Sequence, residues 1–306
     1  MKSISSANHP AIRVQSILRH CDLAAITRSL EYVDNAARNA RAQGTVSQVE
    51  VVYGQCSGEP ALDAETLGQF RRACPNLTRI DCTFFGDFLA YAEAHNRLLA
   101  KNDSDYTLIM DPEALAFPDL FGELLVALAE PGVGLAEARQ IPIEHPKDYD
   151  QLTGETSWAS SVCAMAPTRV FDKVSGFDSE SFSFCLADVD FSWRVRMAGY
   201  KVVHQRAATV FHDRRLTHAG GRVSTDTAKF GLAEARLLLT YKYSRPDLTE
   251  RYLDECRNSG SQPLVRAAAA IDIRKAQGRM PMQVDLDHVV GQFIGEDFAV
   301  HRFAST

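Results

Sequence analysis

Through the first two thirds of the chain, short runs of β-branched and aromatic residues alternate with longer runs whose apolar positions recur three and four residues apart. Residues 13–18 (RVQSIL), 48–53 (QVEVVY), 78–84 (TRIDCTF) and 106–110 (YTLIM) read as strands. Between them, residues 23–43, 62–74, 89–100 and 120–128 carry helical spacing. That rhythm predicts an α/β fold, a Rossmann-like and mostly parallel sheet flanked by helices, with functional groups gathered at the carboxyl edge of the strands. Over residues 137–157 the pattern lapses into EARQIPIEHPKDYDQLTGETS, a length that points to a functional loop rather than a simple connector. Apolar residues return at 162–166, followed by Gly176-Phe177-Asp178, a helical segment at 189–198 and a strand-like stretch at 201–211. Beyond Thr225 the spacing is helical over 228–243, 248–256, 264–277 and 286–293, a helical C-terminal extension. Two regions follow, 1–222 and 223–306, with no internal repeat or low-complexity segment.

Composition narrows the class without naming a partner. With 306 residues, 45% of them hydrophobic and 24% charged, the chain can bury a large core and needs no disulfide framework. A net charge of −6 argues against a dedicated nucleic-acid binder. The seven cysteines are odd in number, scattered and never spaced as C-x-x-C, the usage of reduced thiols in a cytosolic protein. No stretch approaches 18 apolar residues and the first fifteen residues contain no apolar signal core, so neither a membrane span nor a secretion signal is expected. Peripheral contact with the inner face of a membrane needs only one apolar helix face and stays open.

Three groups of residues carry candidate chemistry. Asp111-Pro112-Glu113 directly follows the strand YTLIM. Two carboxylates one residue apart at a strand end can face one hard divalent cation, Mg²⁺ or Mn²⁺, and leave positions for water or phosphate. Asp111 as a helix N-cap with Pro112 in the first turn is an equally good reading of the same residues. A second acidic pair, Asp188 and Asp190, opens a helix and precedes a basic stretch. Residues 194–222 hold seven cations (Arg194, Arg196, Lys201, Arg206, Arg214, Arg215 and Arg222) against the single acid Asp213. Such a local reversal of charge suits a bound diphosphate, or else a solvated basic face. His212 closes the strand-like run VVHQRAATVFH and gains weight only from its neighbours.

The order of these motifs resembles the family-two inverting glycosyltransferases of the GT-A fold, in their bacterial, rhamnosyltransferase-like branch. The matching segments are IMDPEA (109–114), WASSVCAMAPTRVFDKVSGFD (158–178), ADVDFSWRVRMAGY (187–200), VFH (210–212) and the ending EDFAVHRFA (296–304). The resemblance covers residues 13–212 in order and is most specific in the second half. It implies that Asp111, Glu113 and His212 hold Mg²⁺ or Mn²⁺ against the diphosphate of a nucleotide-sugar donor, UDP- or dTDP-linked, and that Asp188 is the general base. Gln55, Ser57, Asn96 and Asp111 would line the donor side. Trp158, Asp190, Trp193 and Arg194 would line the side of a glycan or lipid-linked acceptor in bacterial cell-surface polysaccharide synthesis, with Glu144-His145-Pro146-Lys147 beside Trp158. A homodimer is compatible with the C-terminal helices.

Several positions depart from the family pattern. An acid usual after the second strand is replaced by the neighbourhood of Gln55 and Ser57 in VVYGQCSGE; the glycine-containing segment before the metal strand reads FLAYAEAHN from Phe88 and keeps only Asn96; a small glycine is Ser161; and the acid before the base is Ala187. These changes motivate the alternative of a non-catalytic GT-A-fold binding or assembly subunit. A nucleotidyltransferase would need a glycine-rich phosphate loop after its first strand, and RVQSILRHCDLAAITRS contains none.

Overall fold

The computed structural model describes residues 9–19, 22–56, 60, 62–86, 89–183, 185–213, 225–295 and 297–302. Ser57, Phe88, Arg214, Arg215 and Arg222, together with the two ends of the EDFAVHRFA motif, lie outside the described residues.

The first half follows the alternation of the sequence: β1 (Ala11–Leu18), α1 (Leu23–Ala42), β2 (Gln48–Gln55), α2 (Ala64–Ala73), β3 (Arg79–Phe84), α3 (Tyr91–Leu99) and β4 (Tyr106–Met110). After a two-residue β5 (Leu115–Ala116) come α4 (Leu120–Ala129), β6 (Val133–Ile141), β7 (Cys163–Pro167), α5 (Thr168–Lys173), α6 (Ala187–Met197) and β8 (Lys201–Phe211). Helices α7 (Asp226–Lys242), α8 (Pro246–Asn258) and α9 (Gln262–Ala276) follow. Among the described residues the strands form one sheet in the order β3-β2-β1-β4-β7-β6-β8-β5. Four of its seven pairings are parallel, and the antiparallel ones flank β7 and join β5 to β8.

Period-two alternation in the central strands divides the core between two faces. Leu108 and Met110 of β4, with Cys163 and Met165 of β7, join Ile26, Leu30 and Phe121 of α1 and α4 on one face. Ile109, Ala164 and Ala166 point the other way, into a core of Phe171, Phe177, Phe191, Trp193, Leu238 and Tyr243 that α5 to α9 complete.

Two expectations from the sequence are corrected. Residues 133–141 form a nine-residue strand where the pattern was read as lapsing from residue 137. Three of its seven buried positions are Gly or Ala, which carry little strand propensity, and two more are the polar Glu137 and Gln140. Gly134 shows why: a Cβ there would lie 2.6 Å from Cβ of Tyr200. The helix expected at 286–293 is absent, because Asp285 and His288 both adopt φ 54°, in the left-handed region. The Asp285 carboxylate instead accepts from the amides of Val289, Val290 and Gly291, so a side chain takes the place of a helical turn's carbonyls.

Strand direction determines which loops meet. β1 and β4 run parallel, in register from Ile12 opposite Tyr106 to Gln15 opposite Ile109, so both end at the same edge. β7 runs antiparallel to β4, with Cys163 opposite Met110, and therefore begins at that edge. Leu115 pairs with Phe211, bringing the end of β8 there as well.

Candidate active site

At this edge, Arg19 after β1, Asp111 and Glu113 after β4, Ser161 and Val162 before β7 and His212 after β8 border one open cleft of about 360 Å³, with Tyr91 of α3 on its wall. Residues 112–113 form a turn, not the first turn of a helix, so the N-cap reading of Asp111 does not hold. The amide of Glu113 donates to Asp111 Oδ1 at 2.9 Å, and this turn brings both carboxylates to the cleft. The Asp111 amide donates to the Val162 carbonyl, tying the acid turn to the start of β7.

His212 Nε2 lies 3.7 Å from Asp111 Oδ1. That is too long for a hydrogen bond. Among the described residues no group of three or more His, Cys, Asp or Glu side chains is gathered closely enough to hold a metal ion. Asp111, Glu113 and His212 border the same cleft, and their donor atoms are of the type that suits Mg²⁺ or Mn²⁺ completed by water and phosphate oxygens.

Asp188 occupies the first turn of α6, which Leu186 introduces at φ 60°, an uncommon conformation for a branched side chain. Its Oδ2 accepts from the Ser161 amide at 3.2 Å and its Oδ1 from the Val189 amide at 3.0 Å. Burial pushes its pKa up, against the opposing pull of those amides and of the Lys147 ammonium. The Tyr91 hydroxyl is pushed up by burial and by the negative charges of Asp188 and Asp111. Tyr91 therefore lies near both the base candidate and the acid turn.

Behind this wall lies a buried ion pair. Lys147 Nζ is 2.7 Å from Glu137 Oε2, donates to the Trp158 carbonyl and lies 3.9 Å from the centre of the Trp158 ring. Burial alone would raise the Glu137 pKa, but Lys147 and His204 more than offset it and bring the carboxyl to about 2. Glu137 also accepts from the Ser160 amide at 3.1 Å, so the pair fixes the segment that supplies Ser161. Lys147 itself is held through a β-bridge between its own backbone and His301.

Other residues singled out in the sequence are employed elsewhere. Asn96 clamps the Gly-Phe-Asp turn: its amide nitrogen donates to the Phe177 carbonyl and its oxygen accepts from the Phe177 amide, each at 2.8 Å. A Cβ on Gly176 would meet that oxygen at 2.4 Å. Asn96 is thus engaged with this turn, and it does not border the acid cleft. Asp190 and Trp193 have no exposed surface. Asp190 accepts from Lys242 at 2.6 Å, Arg194 at 2.8 Å and Tyr243 at 3.2 Å, which fastens α7 to α6. Trp193 packs edge-on against Tyr243 and donates to Ser157. Both face the core and are not placed to touch an acceptor. Arg194 lines a separate cleft of about 890 Å³ with Asp178, Lys242 and Arg279. Trp158 is half-buried between Lys147 and His145. Gln55 is buried at the end of β2.

The described cations of the basic stretch are dispersed. Arg196 donates to the Val290 carbonyl, Lys201 faces Glu155 at 3.6 Å, and Arg206 donates to the Gln151 carbonyl. None of them lines the acid cleft. Its cation among the described residues is Arg19, which the sequence analysis passed over although it is the first polar residue beyond β1, at the edge where chemistry was expected.

No protein-family profile and no curated protein sequence matches the chain. Solved structures do. A mannosyltransferase, PcManGT from Pyrobaculum calidifontis in complex with GDP-Man and Mn²⁺, aligns with a TM-score of 0.57 and 15% identity over 88% of this chain and 76% of that one. GalNAc-T7 with UDP, GalNAc and Mn²⁺ aligns with a TM-score of 0.63 and 10% identity over 92% of this chain, which spans 57% of that protein's length. TarS of S. aureus aligns at 0.50 and 10% identity over 81% of this chain, which spans 40% of that length. The likeness is one of fold: the sheet and its helices form a GT-A fold, with a helical C-terminal segment.

Proposed function

We propose that the protein is a metal-dependent, inverting glycosyltransferase that moves a sugar from a nucleotide-diphosphate donor, UDP- or dTDP-linked, to a glycan or lipid-linked acceptor of bacterial cell-surface polysaccharide. The observation that carries this reading is that Asp111, Glu113 and His212 border one cleft at the carboxyl edge of a GT-A sheet, with Asp188 accepting from the amide of Ser161, which also borders it. The structural neighbours crystallised with nucleotides and Mn²⁺ support it by likeness of fold.

Asp111, Glu113 and His212 would hold Mg²⁺ or Mn²⁺, which when bound offsets the charge growing on the leaving diphosphate. The acceptor oxygen forms a bond to the anomeric carbon while the bond from that carbon to the phosphate oxygen breaks. The electron pair departs with the nucleoside diphosphate, and the hydroxyl proton passes to Asp188. A carboxylate whose pKa burial has raised is a stronger base than an ordinary aspartate. The single displacement inverts the configuration at that carbon. The non-catalytic alternative draws on Gln55, Ser161 and Ala187, but the Ser161 backbone amide still serves Asp188, so that departure leaves the base supported.

The test is a thermal-shift screen of UDP-, dTDP-, GDP- and CMP-sugars with and without Mn²⁺, followed by transfer or donor hydrolysis with Asp188→Asn. A ligand at a hundredfold its Kd adds ~2.7 kcal/mol of apparent stability. The variant is expected to keep donor binding and lose about 10²- to 10⁴-fold in rate. Wild-type rates in the variant would remove Asp188 as base, and no metal-dependent shift with any donor would remove the nucleotide-sugar reading.

A further inference from the structure

We propose that Arg19 is the side chain that receives the diphosphate of the nucleotide donor, in the cleft bounded by Asp111, Tyr91 and Ser161. This rests on the nucleotide-sugar reading and, among the described residues, assigns to Arg19 a role the sequence suggested for the basic stretch at 194–222. The register of the sheet puts Arg19 at the end of β1, one strand from Asp111 at the end of β4. Its guanidinium lies 5.8 Å from the centre of the Tyr91 ring, and Tyr91 and Ser161 border the same cleft. An anion bound by Arg19 therefore shares the cleft with Ser161, whose amide donates to the base candidate Asp188.

The described lining residues place a cation beside the two acids. Asp111 and Glu113 carry negative charge, which without a metal disfavours a diphosphate, and Arg19 is the arginine among the described residues of the lining. A divalent ion on the two carboxylates would offset them and leave Arg19 to attract the diphosphate. Arg19 is also partly withdrawn from water; burial pulls its pKa down, and its attraction for an anion is correspondingly less screened. A planar guanidinium can donate to two phosphate oxygens at once, which a lysine ammonium at the same place does less well.

A neighbouring cavity provides the contrast. Glu113 and His212 also border a space of about 120 Å³ lined by Asp22, Arg28 and Asp213. Ligand pockets for molecules of nucleotide size run from ~300 Å³ upward, so the smaller space cannot hold a nucleoside diphosphate, and its two additional acids disfavour phosphate.

The experiment is calorimetric titration of the full chain with UDP, GDP, dTDP and the corresponding nucleosides, with Mn²⁺ and in excess chelator, for wild type, Arg19→Gln, Arg19→Lys and Arg28→Gln. Loss of one charge-assisted contact, at ~1.5–3 kcal/mol, corresponds to about a ten- to hundredfold weaker nucleoside diphosphate in Arg19→Gln. The nucleoside should be unchanged, Arg19→Lys intermediate, and Arg28→Gln like wild type. Circular dichroism and the melting temperature establish that each variant is folded. Undiminished diphosphate affinity in folded Arg19→Gln, or a loss in Arg28→Gln instead, overturns the assignment and leaves the nucleotide-sugar reading standing. If the wild type binds no nucleoside diphosphate, the broader reading fails first.

Discussion

Replacing Lys147 by Met tests whether the Glu137–Lys147 pair organises the wall that carries Ser161. The variant keeps most of the side-chain volume and deletes the ammonium, leaving a carboxylate that is 1% exposed with His204 3.5 Å away and the Ser160 amide. A carboxyl ordinarily near 4.5 is held at about 2, and at ~1.4 kcal/mol per pH unit that difference is worth about 3 kcal/mol. Independently, removing one partner of a buried pair costs ~3–5 kcal/mol. Both routes predict that Lys147→Met loses about 3 kcal/mol at pH 7, or about 5 °C in Tm for a chain of this size. The sign follows from the depressed pKa: the wild-type contribution is present above about 4.5 and disappears as the pH falls through about 2, where Glu137 takes up a proton. In the variant Glu137 is free to protonate at higher pH, so the gap to wild type should narrow between pH 7 and pH 4. The double variant Lys147→Met/Glu137→Gln should recover most of the loss, since it removes the stranded charge. Urea denaturation of the three proteins at both pH values measures this. A single variant within ~1 kcal/mol of wild type, or a double variant no better than the single, would refute the reasoning.

Two further outcomes follow from buried polar groups. His95 is fully buried, and burial with the nearby Arg19 charge pulls its pKa to about 3. The folded state thus resists protonation that the unfolded chain accepts below about 6.5, and stability should fall by ~2 kcal/mol between pH 7 and pH 5. That slope should flatten in His95→Gln, and an equal slope in the variant sinks the account. Asn96→Ala strands the Phe177 amide and carbonyl and should cost about 2–4 kcal/mol in chemical denaturation, with nucleoside diphosphate affinity unchanged. A folded, stable variant that loses affinity would return Asn96 to the donor site.

Much of the fold was legible locally. The strands ending at Leu18, Phe84 and Met110 announce themselves by β-branched and aromatic runs, and the helices by their spacing. β6 did not, because Gly134, Ala136 and Ala138 are selected for close packing of the sheet rather than for strand propensity. The false helix at 286–293 had suitable apolar spacing, but Asp285 satisfies the local amides and stops it.

By itself, the sequence determined the α/β alternation, the acids following β4, the aspartates opening α6 and the histidine closing β8, since each belongs to a local pattern. Which of these residues meet was decided only by strand direction and register. The antiparallel insertion of β7 and the pairing of β5 with β8 brought Ser161 and His212 to the acid turn across large sequence separations. The same packing drew Asp190 and Trp193 into the interior and tied the half-buried Asn96 to Phe177, so that each is engaged by another element. Among the described residues, the arginine it brings to the cleft is Arg19 at the end of β1, while Arg196, Lys201 and Arg206 of the basic stretch are engaged elsewhere. Charge along a chain is one-dimensional, whereas the field in a cleft depends on which side chains the fold turns toward it.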